Sequence, residues 1–115
     1  MAYNYLFFRP RTLPLTAADV TADTVETLTD WESARVALER VFPHLVWPKG
    51  SWGRGETEDG RWFEFSIAPG GTLSMRCSLR ADYGVEVQRI CDTLGWVAVD
   101  ERPVLFQPDA TPFKV

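Results

Sequence analysis

Between Arg61 and Leu79 apolar and polar side chains alternate almost one by one, with a single interruption at Pro69-Gly70-Gly71. Phe63, Phe65 and Ile67 fall on one side, and Leu73, Met75, Cys77 and Leu79 resume the pattern after the break. A period of two belongs to strands, whose successive side chains point to opposite faces, and Pro-Gly-Gly supplies turn chemistry. The segment therefore predicts a hairpin with one apolar face, and such a face requires a second layer to cover it.

The alternation also predicts a register. If the odd-numbered residues of both strands face the core, a three-residue loop at Pro69 to Gly71 sets Ala68 opposite Thr72 and Glu64 opposite Arg76. The acid-base match played no part in fixing the register, so it supports it independently. The preceding strand, Trp52 to Thr57, reaches the turn Glu58-Asp59-Gly60. Asp59-Gly60 favours a two-residue connection. A three-residue loop would instead turn Gly53 and Gly55 inward and make room for Phe63 and Phe65. Both remain open at this point.

Elsewhere the period changes. Trp31, Ala34, Leu38, Val41, Phe42 and Leu45 recur at three- and four-residue spacing, with Arg35 and Glu39 as an i, i+4 pair beside the stripe. Thr29 to Glu32 has the form of a capping box, and Pro43 stops the helix soon after Phe42. A second helix is predicted from an Asp82 cap to Leu94, with Tyr83, Val87, Ile90, Cys91 and Leu94 inward and Gly95 at its end. Ala2 to Phe8 is an aromatic run suited to a central strand. Trp96 to Val99 and Pro103 to Gln107 are two short further strands. Arg11 to Leu28 lacks periodicity and is expected to be a long loop with one helical turn near Ala17 to Val20, and the tail from Pro108 is expected to be loosely held. The resulting order is β-α-β-β-β-α-β-β, an α+β fold with two helices on one face of a mainly antiparallel sheet. With 115 residues it forms one domain spanning 1–115.

Charge and composition narrow the function classes. Sixteen acids against twelve bases give a net charge of −4, a poor match to nucleic acid, which is held by clustered Lys and Arg. No apolar run reaches the ~20 residues of a membrane span and no signal peptide is visible, so the expected location is cytoplasmic, without membrane contact. Cys77 and Cys91 are too far apart for a CxxC site, and His44 is the only histidine. No metal or other cofactor is expected. His44 lacks a nucleophile motif around it, Glu58-Asp59 and Asp100-Glu101 sit at turns, and Gly50 to Gly55 lacks the Lys-Ser/Thr ending of a phosphate loop. Catalysis is not expected.

Two surfaces stand out as candidates for a partner. From Thr12 to Ala34 the chain carries Asp19, Asp23, Glu26, Asp30 and Glu32 and no Lys or Arg, which describes either a solvated loop and helix start or a docking edge for a basic protein. On the outward side of the hairpin, alternation gathers Trp62, Glu64 and Arg76. Trp62 is there either as an interface anchor or as a core residue covered by the Arg11 to Leu28 loop.

The opening MAYNYLFFRP and the stretch RCSLRADYGVEVQRICDTLGWVAVDE, Arg76 to Glu101, resemble small bacterial α+β proteins that act as immunity proteins beside polymorphic or contact-dependent toxins. The resemblance rests on a layout: an aromatic first strand, a late helix, then a Gly-Trp strand ending in Asp. It implies a protein-binding inhibitor that neutralises a cognate toxin, and it transfers no site residues. Many toxin domains act on nucleic acid and are basic, which an acidic inhibitor complements. The alternatives are a small ligand-binding or enzymatic domain with a Trp-lined cleft near His44, or a subunit of a larger assembly.

Overall fold

A computed structural model describes residues 2–13, 15, 20–49, 52–68, 70–79, 81–102, 104–108 and 113–114. The expected α+β architecture is present. In chain order the elements are β1 (Ala2–Pro10), β2 (Val25–Thr27), α1 (Trp31–Val41), β3 (Val46–Lys49), β4 (Trp52–Glu56), β5 (Trp62–Ile67), β6 (Leu73–Ser78), α2 (Gly84–Leu94), β7 (Val97–Asp100), β8 (Val104–Phe106) and β9 (Phe113–Lys114). The sheet runs β3-β4-β5-β6-β1-β7-β8-β9, with β2 paired to β1 beyond the end of β6, and the described pairings are antiparallel. β1 is central, as its apolar composition requires: Tyr5 and Phe7 are buried on the helix side, and Phe8 packs on the other.

The register is the one that alternation predicts. Glu64 stands opposite Arg76 and Phe65 opposite Met75, and the Gly71 amide donates to the Ala68 carbonyl with Gly70 at φ 74° closing the loop. The first hairpin resolves to the three-residue form. The Thr57 amide donates to Arg61 across Glu58-Asp59-Gly60, and Gly60 takes the left-handed φ of 82°. Gly55 therefore faces Phe63 and Gly53 faces Phe65. Both glycines are needed there: a Cβ on Gly53 would lie 2.2 Å from the Trp47 ring, and one on Gly55 2.7 Å from Phe63 and from Leu45.

Several local expectations are corrected. The first helix is capped by Asp30, not Thr29: the Ser33 amide donates to Asp30 Oδ1 at 3.3 Å and the Ser33 hydroxyl to Oδ2 at 2.8 Å. Asp30 wins because its carboxylate reaches the amide three residues on, while Glu32 is drawn to Arg35 at 2.9 Å rather than back to the cap. At α2 the cap position itself is Tyr83, and Asp82 acts one residue earlier by accepting from the Gly84 amide at 2.8 Å. Val25 to Thr27 and Val46 to Lys49 are strands where only loop and connection were expected. Thr21 reverses the chain by accepting from the Thr24 and Val25 amides, which swings Val25 onto the sheet. In the tail, Phe113–Lys114 pairs with β8. Of the helical turn expected at Ala17 to Val20, residues 17–19 lie outside the described residues, and Val20 is not helical.

Two cores result, one on each face. The larger lies between the sheet and both helices and holds Phe7, Leu38, Phe63, Phe65, Met75, Tyr83 and Ile90, with Trp96 edge-on to Phe7. The smaller lies on the opposite face, where Leu15 and Val25 pack on Val97 and Leu105. Gln107, itself buried, clamps the loop there: its amide donates to the Leu15 carbonyl at 3.0 Å and its oxygen accepts from the Leu15 amide at 2.8 Å. This anchoring decides which part of the outer face stays open.

Candidate functional site

Among the described residues, the outer face of the sheet is covered at one end. The described part of the Arg11 to Leu28 loop packs on Phe8, Val97, Val99 and Leu105, over β1, β7 and β8. Neither core brings Trp62 together with that loop, so among the described residues the loop does not make Trp62 a core residue. Among the described residues, the outward side chains of β4, β5, β6 and the first half of β1 are exposed or partly buried and belong to neither core. At ~4.8 Å between strands this face is about 14 Å across.

Its side chains fall into rows set by the register. Arg54, Glu64, Arg76 and Asn4 form one row across four strands. Trp52, Ser66, Ser74 and Leu6 form the next, and Glu56 beside Trp62 begins a third on the other side of the charged row. Trp52 and Trp62 therefore flank the Arg54–Glu64 pair, one before it and one after. Both indoles are partly buried, Arg54 and Arg76 are exposed, and Leu6 is 43% exposed. Neither tryptophan belongs to either core. Glu64 and Arg76 face each other in register, but among the described residues they form no close ion pair. Alternation found Trp62, Glu64 and Arg76. It missed Trp52 and Arg54, whose face depended on the length of the first hairpin loop.

The acidic segment is less bare than its sequence suggests. Glu26 is held by Arg11 at 2.9 Å and Arg9 at 3.9 Å, and Glu32 by Arg35. Asp30 is occupied as a helix cap, and its bond from the Ser33 side chain holds its carboxyl below the usual carboxylate range. Asp23 is exposed and has no ion pair among the described residues. Asp19 lies outside the described residues. The bases that meet these acids come from the end of β1 and from within α1, outside the window in which acids alone were counted.

His44 is exposed and lines a cleft of about 480 Å³ between the end of α1, the β4–β5 turn and the start of α2. Among the described lining residues the aromatics are Phe42 and Phe63, and no tryptophan lines it, contrary to the expectation of a Trp-lined cleft. Arg61 crosses this cleft in ion pairs with Asp59 and Glu86. Hydrogen bonds from the Thr57 hydroxyl and then from Arg61 hold the Asp59 carboxyl below its ordinary value. Cys77 and Cys91 are buried and free, and burial pushes both thiols up to about 12. No grouping of His, Cys, Asp and Glu suited to a metal ion occurs among the described residues. No helix there is long and apolar enough to cross a membrane. In comparisons with known proteins, no family model, curated protein or solved structure matches the chain.

Proposed function

We propose that this chain is a protein-binding inhibitor of the immunity type, one that neutralises a cognate bacterial toxin in the cytoplasm by occupying it rather than by catalysis. The observation that carries the reading is the open sheet face, where two tryptophans flank a row of alternating charge that no described part of the chain covers. Trp and Arg are the residues most enriched at the energetic centres of protein interfaces. Their setting on a β-sheet backed by a full core keeps them preorganised, so little side-chain ordering is left for binding to demand. Alternating charge favours a partner with the complementary pattern and rejects one with like charges in register. The net charge of −4 adds long-range attraction for a basic toxin, with Asp19, Asp23, Glu26, Asp30 and Glu32 as its densest acidic stretch.

The test is rescue from toxicity. The toxin encoded beside this chain is expressed with and without it, and the purified pair is assayed for a 1:1 complex. Restored growth together with a stoichiometric complex is the expected outcome. A toxin that the chain neither binds nor silences, or a neighbouring reading frame that encodes none, contradicts the proposal.

A further inference from the structure

The cleft at the hairpin end has a composition that the sheet-face reading does not use. Its floor is aromatic, with the Phe42 and Phe63 rings 5.0 Å apart, and its volume of about 480 Å³ is that of a small-ligand site. Around the floor stand four carboxylates, Glu56, Glu58, Asp59 and Glu86, against two guanidiniums, Arg61 and Arg89. Arg61 has little left to offer. Its Nε donates to both Asp59 oxygens at 3.0 and 3.1 Å, its Nη1 donates to the Asp82 carbonyl, and its plane stacks over Tyr83 at 4.9 Å. Its remaining nitrogen stands 3.7 Å from Glu86 Oε1, beyond hydrogen-bond reach. The Glu86 side chain is only 13% exposed, and that oxygen is buried without a hydrogen-bond donor. Glu56 and Glu58 are exposed and form no ion pair among the described residues.

We propose that this cleft receives a basic side chain of a protein partner, an arginine whose hydrocarbon stem lies on Phe42, the partly buried ring beside Phe63, while its guanidinium reaches Glu86 and the hairpin carboxylates. The excess of negative charge selects a cation, and the exposed carboxylates of Glu56 and Glu58, without an ion pair among the described residues, accept the donors that a guanidinium supplies. The aromatic floor rewards a flat cation and an apolar stem, which a free metal ion does not provide. An anion would meet four carboxylates, with only Arg89 and His44 at the rim to hold it.

The probes are N-acetyl-arginine amide, benzylguanidinium and, as the anion of similar size, phenylacetate, titrated into the labelled protein and followed by amide chemical shifts. Both cations are expected to give saturable shifts around Phe63 and Glu86 that weaken with added sodium chloride, and phenylacetate none. Glu86→Gln should weaken capped arginine by about tenfold or more, the loss of one charged hydrogen bond. Should Glu86→Gln fail to fold, the exposed double variant Glu56→Gln/Glu58→Gln carries the test and must weaken binding several-fold with the thermal midpoint unchanged. Equal binding of phenylacetate, shifts that do not saturate or that map elsewhere, or binding of benzylguanidinium without capped arginine each overturn the proposal. None of these results touches Trp52 or Trp62, so the cleft and the sheet face stand or fall separately.

Discussion

Replacing Gly55 by alanine tests the register on which the open face depends. In the observed pairing the new methyl group points inward and would sit 2.7 Å from Leu45 Cδ2 and 2.7 and 2.8 Å from the Phe63 ring. Ordinary carbon contacts are ~3.5–4.0 Å, so the neighbours must retreat by close to 1 Å. Phe63 is completely buried and packed between Phe42 and Phe65 at 5.0 and 5.5 Å, which leaves it nowhere to go. Overpacking of this kind costs about 1–3 kcal/mol, offset by about 0.4–1 kcal/mol because alanine restricts the unfolded chain more than glycine. A net loss of about 1–2 kcal/mol lowers the melting temperature by roughly 5–10 °C for a domain of this size. Thermal and urea denaturation of Gly55→Ala beside Arg54→Ala, its exposed neighbour, measure it. A midpoint unchanged or raised in Gly55→Ala would mean that the glycine faces outward. The two-residue hairpin would then be correct, and Trp52 would leave the outer face.

Three further outcomes follow from the same geometry. Gln107→Leu removes the two bonds that clamp Leu15 and leaves its buried amide and carbonyl unsatisfied, so hydrogen exchange at the Leu15 amide should accelerate at least tenfold while β5 and β6 amides stay protected. Asp30→Ala should lower the melting temperature at neutral pH and Thr29→Ala should not. Because the Ser33 bonds lower the Asp30 pKa on folding, that difference is full above the ordinary carboxylate range and closes as pH falls through the lowered value. Cys77 and Cys91, with thiols pushed up to about 12 by burial, should resist alkylation in the native protein at mildly alkaline pH and both react once it is unfolded.

What the sequence makes legible here depends on whether a property is local. The period of two in β5 and β6 fixes their inward residues, and the Pro-Gly-Gly loop then fixes Glu64 across from Arg76. The period of 3.6 in α1 and α2 does the same for Leu38, Val87 and Ile90. The first hairpin is ambiguous because Asp-Gly serves two loop lengths, and the choice is made by distant rings: Phe63, Phe65 and Trp47 need the space that inward glycines leave. β2 and β3 are missed because three- and four-residue strands carry too little pattern to exceed their Thr and Pro content. The path of the long loop is invisible for a similar reason, since it is set by Gln107 reaching Leu15 across 92 positions of chain. At the candidate site this left Trp62 with two readings, and the described part of that loop, anchored over Val97 and Leu105, does not supply the cover that the core reading needs.

The most direct test of the account is the affinity of the purified chain for the toxin proposed as its partner, measured by calorimetry for wild type and Trp62→Ala with the melting temperature of each recorded beside it. Trp62 is partly buried on an open face, so its truncation should cost less stability than the about 3–5 kcal/mol typical of a core tryptophan. The predicted result is an affinity at least about tenfold weaker, about 1.4 kcal/mol, in a variant that remains folded. Unchanged affinity in a folded Trp62→Ala variant would contradict the central claim and remove the sheet face as the binding surface.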